Sequence, residues 1–136
     1  MEKATALVTL VNSADRIRHA HGYRETNVVR SMSVSVVVSP SIALPVITES
    51  IAWRLGLTED GTVAIRMGEK RITVAMVRDL EIEIFGRRHP TLAVVMPGEN
   101  QPAVGMVFMQ SLDLIVDAAT RFLRPRDPDI ICTEIE

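Results

Sequence analysis

Hydrophobic and polar residues alternate along much of this chain with the two-residue period of β-strands. The alternation predicts strands over residues 4–11, 31–38, 79–84 and 91–96. Residues 61–77 contain two further strands, which the turn residues Met67-Gly68-Glu69-Lys70 join into a hairpin. A last hairpin pairs residues 114–116 with residues 121–123. Short strands separated by turn residues predict an all-β fold in the form of a closed barrel.

A few segments with helical signals lie between the strands. A cap at Asn12 or Ser13 predicts a short helix over residues 14–20, which Gly22 would end. Two more segments with helical character are residues 48–55, closed by Gly56-Leu57, and residues 106–112. We therefore expect a barrel with one or two short helices.

Composition and charge narrow the classes of function. Hydrophobic residues make up 47% of the 136 residues but aromatic residues only 4%, so the core must consist of Val, Ile, Leu, Met and Ala. The net charge of −2 argues against a nucleic-acid or membrane-surface binder, because either needs a basic patch. The lone Cys132 excludes a disulfide framework and a Cys-based metal site, and no residue pattern implies a cofactor.

The length fits a single domain over residues 1–125, followed by a loosely held tail over residues 126–136. No apolar run is long enough to span a bilayer, and the N-terminus lacks the hydrophobic region of a signal peptide. We therefore expect a cytoplasmic protein.

One stretch of the chain combines these elements in a telling order. A strand of small and β-branched residues, 34–38, ends in the turn Ser39-Pro40-Ser41. A short apolar segment follows and leads into a helix that ends in Leu55-Gly56-Leu57. This order resembles the active-site region of single-lobed, retroviral-type aspartic proteases, the retropepsin-like family. In that family the turn reads Asp-Thr/Ser-Gly-Ala, and the helix commonly ends in Leu-Gly-Leu.

The resemblance covers nearly the whole chain and fits certain bacterial and archaeal members of the family. The matching segments, in chain order, are Leu10-Val11-Asn12, residues 16–22, Val29-Arg30-Ser31, residues 62–68, Glu83-Ile84-Phe85-Gly86-Arg87, Pro97-Gly98, Gly105, residues 112–117 and Leu123-Arg124-Pro125. The resemblance implies an acid-protease barrel that forms a homodimer. It also implies a cleft that includes Ile42 and Gly105 and is covered by a flap of Met67-Gly68-Glu69.

The catalytic motif itself is replaced. Aligned without gaps, the family's catalytic Asp falls on Ser39, its Thr on Pro40 and its Gly on Ser41. Aspartic proteolysis needs two carboxylates that share one proton, and each subunit of the homodimer supplies one of them. A serine hydroxyl is not ionised near neutral pH, and no Asp occurs between Asp15 and Asp60. We therefore expect no catalytic residue in this turn and no metal site.

The other chemically capable side chains favour structural roles. A nucleophilic Ser39 would need a nearby base. His19 and His21 are expected at a solvated helix end, and His89 in a solvated turn between strands. The carboxylates expected on an exposed strand face, in turns or at the surface are Glu81, Glu83, Asp113 and Asp117.

The resemblance and the replaced motif lead to two classes of function. A third interpretation is that the barrel is unrelated to the retropepsin-like family by descent. The first class is a catalytically inactive homodimer that binds an extended peptide or protein, or that acts as a scaffold or regulatory module. The apolar segment 42–45 supports a dimer, because a monomer would leave it partly exposed. In that dimer, we predict, two Ser39 turns meet across the two-fold axis. The second class is a hydrolase: a peptidase with non-standard active-site residues, or a partner subunit for an Asp-bearing paralogue.

Overall fold

The computed structural model describes residues 4–21, 28–98, 101–129 and 131. Within these ranges, nine strands and three short helices follow one another: β1 (Ala4–Asn12), α1 (Ser13–Ala20), β2 (Ser31–Val38), β3 (Val46–Thr48), α2 (Glu49–Leu55), β4 (Thr58–Met67), β5 (Lys70–Ile84), β6 (Arg87–Met96), β7 (Ala103–Val104), α3 (Met106–Ser111), β8 (Leu114–Val116) and β9 (Leu123–Pro125). None of these helices is long and apolar enough to cross a membrane. Some residues named in the sequence predictions lie outside the described residues: the helix end Gly22, the turn residues Glu99 and Asn100, and Cys132.

Six strands close into a barrel. β1 pairs with β2, β2 with β7, β7 with β3, β3 with β6 and β6 with β5, and β5 returns to pair with β1. Closure removes most of the free strand edges that would otherwise invite association. β4 pairs with β5 and extends the sheet as a long hairpin, while β8 and β9 form a small second sheet. The all-β closed barrel expected from the alternation is confirmed.

The barrel encloses an aliphatic core. Ala6, Val8 and Leu10 of β1 are buried at two-residue spacing, as the strand period requires. Val36 and Val38 of β2 continue the same cluster. The helices add further buried side chains, among them Ile51, Leu55 and Phe108. Burial of these apolar surfaces is the main force that holds the strands together.

β5 is one continuous strand of 15 residues where the sequence predicted two. A register shift between Val77 and Leu80, with Asp79 at a φ of 71°, lets the strand continue through an irregularity. The turn after β5 is Phe85-Gly86, whose φ values of 54° and 73° are those of a two-residue hairpin turn. Because β6 begins directly after this turn, the expectation that His89 lies in a turn was wrong.

Segments that are far apart in the sequence converge on a buried hydrogen-bonded cluster. Asn12 donates from Nδ2 to the carbonyl of Leu55 at 2.8 Å and accepts from the N–H of Asp15 at 2.9 Å. The Asp15 carboxylate accepts from the backbone N–H, Nε and Nη2 of Arg30 at 2.7–3.1 Å. Gly56 has a φ of 61°, which favours glycine, and a Cβ there would approach Arg30 Nη1 to 1.8 Å and displace the guanidinium. The cluster fastens α1 and the start of β2 to the end of α2.

A second cluster fastens the C-terminal part of the chain. The buried Arg87 guanidinium donates to the carbonyls of Leu112 at 2.7 Å and Asp113 at 3.2 Å, and also to that of Asp127. The Asp113 carboxylate is buried and pairs with Arg126 at 2.7 Å. The expectation of a surface role was therefore wrong for Asp113, because the chain after β9 folds back over it.

The Glu81 side chain is buried, although the alternation of its strand predicts that it is exposed. Its side chain is 4% exposed and accepts from Nε and Nη2 of Arg16 at 2.7 and 2.8 Å. The expectation failed because α1 packs over this part of β5 and brings Arg16 to it. Glu83, on the same strand, is partly exposed and pairs with Arg88 at 3.1 Å.

The β8–β9 hairpin depends on Asp117, whose expected turn role is confirmed. Its Oδ1 accepts from the backbone N–H groups of Ala119 and Thr120 at 2.9 and 3.1 Å. These hydrogen bonds hold the pKa of Asp117 below its ordinary value. Arg121 has a φ of 64°, so the second strand starts at Leu123 instead of at residue 121.

Candidate functional site

The Ser39-Pro40-Ser41 turn leaves the end of β2 and is closed by backbone hydrogen bonds. The N–H of Ile42 donates to the carbonyl of Ser39 at 3.2 Å, which is the bond of a four-residue turn. The N–H of Ser39 donates to the carbonyl of Val104 at 2.9 Å. The hydroxyl oxygens of Ser39 and Ser41 lie 3.1 Å apart, within hydrogen-bond distance of each other.

β7 holds the two sides of this turn together. β2 pairs with β7 in parallel and β3 pairs with it antiparallel, so the chain crosses from one side of β7 to the other through the turn. Gly105 follows β7 directly. A Cβ at this position would lie 1.9 Å from the carbonyl oxygen of Ile42. Gly105 therefore allows α3 to begin directly against the turn.

A groove of about 650 Å³ separates the turn from the β4–β5 hairpin; we call it the turn–flap groove. Its described lining consists of Ser41, Ile42, Ala43, Leu44, Val46, Val63, Ile65, Arg66, Met67, Val94, Met96, Gln101 and Ala103. Val63, Ile65 and Met67 follow each other at two-residue spacing, so one face of β4 forms a wall of the groove. Beneath this wall, buried Val74, Val94 and Met96 make a small second core. The groove therefore presents a largely aliphatic surface.

The tip of the hairpin is positively charged. Arg66 lies directly opposite Arg71, and Met67 opposite Lys70, and all four side chains are exposed. Glu69 is the single acidic residue among residues 66–71. Because like charges on opposed strand residues repel each other, an anionic group bound beside Arg66 and Arg71 would stabilise the tip.

The predicted cleft residues occupy three different places around this groove. Ile42 and Met67 line it from opposite sides. Gly68, with a φ of 63°, and Glu69 form the turn of the hairpin. Gly105 lies behind the carbonyl of Ile42, outside the described lining. Sequence reasoning missed the aliphatic residues of β4 that precede Met67, although their two-residue spacing was a usable signal.

The lining offers little acid–base chemistry. Its described residues include no Asp, Glu, His or Cys, and the polar side chains are Ser41, Arg66 and Gln101. His19 and His21 are exposed at the end of α1, as expected. His89 lies half-buried in β6, and burial lowers its pKa. Across the described ranges, no group of three His, Cys, Asp or Glu side chains is placed to hold a metal ion.

Solved structures identify the class of fold. The chain is similar to a retroviral protease-like domain of Ddi1 from Leishmania major, with a TM-score of 0.59 and 12% identity over 93% of this chain and 90% of that one. It is also similar to EIAV protease in complex with the inhibitor HBY-793, with a TM-score of 0.55 and 15% identity over 82% of this chain and 88% of that one. No protein-family model and no curated protein sequence matches. The fold is therefore retropepsin-like, the aspartic-protease-like barrel that the sequence resemblance implied.

Proposed function

We propose that this protein is a catalytically inactive relative of the retropepsin-like aspartic proteases that binds extended peptides as a homodimer. One observation carries the proposal. The turn–flap groove is formed, and the turn beside it, Ser39-Pro40-Ser41, carries no carboxylate. This combination supports a groove that binds peptides without the pair of carboxylates that aspartic proteolysis needs.

The chemistry of the turn supports inactivity. In an aspartic protease, one carboxylate activates the attacking water and the other protonates the substrate carbonyl. A serine hydroxyl supplies neither step near neutral pH, and Ser39 is hydrogen-bonded to Ser41 instead of to a histidine. A serine-type peptidase would need such a base, and no described histidine lines the groove. The hydrolase alternative therefore has no supporting contact among the described residues.

The shape and lining of the groove indicate the ligand class. Extended peptides bind beside strands through backbone hydrogen bonds, while alternate side chains enter pockets. Ile42 and Leu44 on one side and Val63 and Ile65 on the other favour aliphatic side chains in those pockets. The cationic hairpin tip favours an acidic residue next to them. We therefore propose an aliphatic segment flanked by Asp or Glu as the preferred ligand.

The dimer is supported by the surface of the turn. Ala43 is exposed, and Ile42 and Leu44 are half-buried, whereas Pro45 is buried. A second copy would cover the exposed part of this apolar segment. A role as a scaffold or regulatory module is a further use of the same dimer.

Four other expectations stay predictions from the sequence. They are the single domain of residues 1–125, the tail that follows it, the similarity to bacterial or archaeal members of the family, and the cytoplasmic location.

A matched pair of substitutions tests the binding site. Ile65 and Ala64 are adjacent in β4, but Ile65 lines the groove while Ala64 lies outside its described lining. We expect Ile65→Glu to abolish binding of a fluorescently labelled Glu-Val-Ile-Leu-Val-Glu peptide, and Ala64→Glu to preserve it. Anisotropy titrations measure both. Equal loss in the two variants, or no saturable binding to the unmodified protein, would contradict a peptide site in this groove.

A further inference from the structure

Trp53 is the most exposed large hydrophobic side chain among the described residues. It is 84% exposed, and it is the only tryptophan of the chain. Its position on α2 explains the exposure: Ile51 and Leu55, four residues apart, face the core, and Trp53 lies between them on the opposite side of the helix. Nothing about packing the core requires an aromatic residue there.

Trp53 borders a second groove of about 510 Å³, the α2 groove, between α2, the base of the β4–β5 hairpin and β6. Its floor includes Ala52, Leu57 and Val77. Among the described residues, the α2 groove and the turn–flap groove share no lining residue. The two grooves are therefore separate surfaces on the protein.

The charge of the α2 groove is entirely negative within its described lining. Glu49 and Glu59 are its only charged side chains, and both are exposed. Within the described part of the chain, neither forms an ion pair, in contrast to Glu81 and Glu83. Glu49 lies four residues before Trp53, so the carboxylate and the indole share one face of the helix. Arg54, the neighbouring cation on α2, is not part of the lining.

An indole face beside two carboxylates is suited to an organic cation. Arg and Lys side chains are attracted to the face of a tryptophan and form charge-assisted hydrogen bonds with carboxylates. Their aliphatic stems cover apolar surface, which the floor of the groove supplies. We propose that the α2 groove is a docking site for a segment of a partner protein that presents an Arg or Lys side chain next to an apolar residue.

The single tryptophan makes the site directly observable. If the groove is negative, the ratio of caesium quenching to iodide quenching will be higher for Trp53 than for free N-acetyltryptophanamide at matched ionic strength, because the free indole gives the intrinsic efficiency of each ion. The double variant Glu49→Gln with Glu59→Gln will remove this difference, whereas Glu69→Gln at the hairpin tip will preserve it. A ratio for the unmodified protein that equals the ratio for the free indole would overturn the charge assignment.

A peptide pair tests the docking itself. The probes are acetyl-Ala-Leu-Arg-Leu-Arg-Ala-amide and the same peptide with citrulline, the uncharged isostere, at both Arg positions. We expect the Arg peptide to bind at least about fivefold more tightly than the citrulline peptide, with a blue shift of Trp53 emission. The double Glu→Gln variant should reduce this preference to less than about twofold.

Trp53→Ala should weaken binding of a dye-labelled Arg peptide about tenfold, and Ile65→Glu, in the other groove, should leave it unchanged. Circular dichroism confirms that each variant is folded. Equal affinity for the two peptides, an unchanged affinity in Trp53→Ala, or no saturable binding at millimolar concentration would overturn the proposal.

Discussion

Replacing Asp15 tests the account of the hydrogen-bonded cluster that fastens α1 and the start of β2 to the end of α2. The Asp15 side chain is 1% exposed and accepts three hydrogen bonds from Arg30, whose own side chain is 46% exposed. Asp15→Asn keeps the volume but removes the charge. Breaking a buried pair commonly costs about 3–5 kcal/mol, but water can reach the remaining Arg30 charge. We therefore expect a loss of about 2–3 kcal/mol in the free energy of unfolding at pH 7.

The pH dependence of this loss has a definite sign. The Arg30 side-chain hydrogen bonds hold the pKa of Asp15 below its ordinary value of 3.8. A carboxyl whose pKa is lower in the folded state adds stability that is fully present above the unfolded pKa and is lost as the pH falls through the folded one. The Asn variant cannot titrate at this position. The difference between the two proteins should therefore be largest at neutral pH and shrink below pH 3.8.

Urea unfolding monitored by circular dichroism at several pH values measures this difference, and Glu83→Gln is the matched control. Glu83 and Arg88 form a similar pair, but their side chains are 34% and 52% exposed. We expect a loss below about 1 kcal/mol for the control. The reasoning is refuted if Asp15→Asn costs no more than Glu83→Gln, or if its cost stays constant from neutral to acidic pH.

Three further predictions concern the core, the turn and the dimer. Phe108→Ala should destabilise the protein by about 3–5 kcal/mol in urea unfolding, because this side chain is 1% exposed in the core; a loss below 1 kcal/mol would contradict the packing. Gly105→Ala should cost about 3 kcal/mol because of the Ile42 carbonyl, whereas Gly68→Ala, with open space around it, should cost about 1 kcal/mol. Similar losses of stability in the two variants would argue against a close approach of Gly105 to the Ile42 carbonyl. Sedimentation should show a dimer, and spin labels on Ser39→Cys in a Cys132→Ser background should lie near each other; widely separated labels would exclude turns that meet at the two-fold axis.

The local features of this fold were readable from the sequence. β2 was predicted with the bounds that the structure shows, because apolar residues recur at positions 32, 34, 36 and 38 and indicate both a strand and its buried face. The hairpin turn at Gly68-Glu69 was readable because glycine accepts the positive φ that the turn needs. The walls of the turn–flap groove were predictable in part, since the sequence predicts Ile42 and Met67 as cleft and flap residues and both line the groove.

The features that were missed depend on contacts between distant parts of the chain. Glu81 alternates like an exposed residue, and only Arg16, 65 positions away, makes its burial tolerable. Asp113 is buried for the same kind of reason, through Arg126 and the returning chain. The α2 groove was missed because Trp53 and Glu59 lie on different elements, and no periodicity connects them. Contacts between such distant residues form only when the barrel closes, so a local sequence pattern does not indicate them.

The central claim is that the turn–flap groove binds peptides and does not cleave them. The most direct test incubates the purified protein with a random peptide library, separates the bound peptides and identifies them by mass spectrometry. We predict that the bound peptides are intact, rich in aliphatic residues and flanked by Asp or Glu, and that Ile65→Glu releases them. Peptides with new termini that appear with the unmodified protein and disappear with Ser39→Ala would contradict the claim and establish a peptidase.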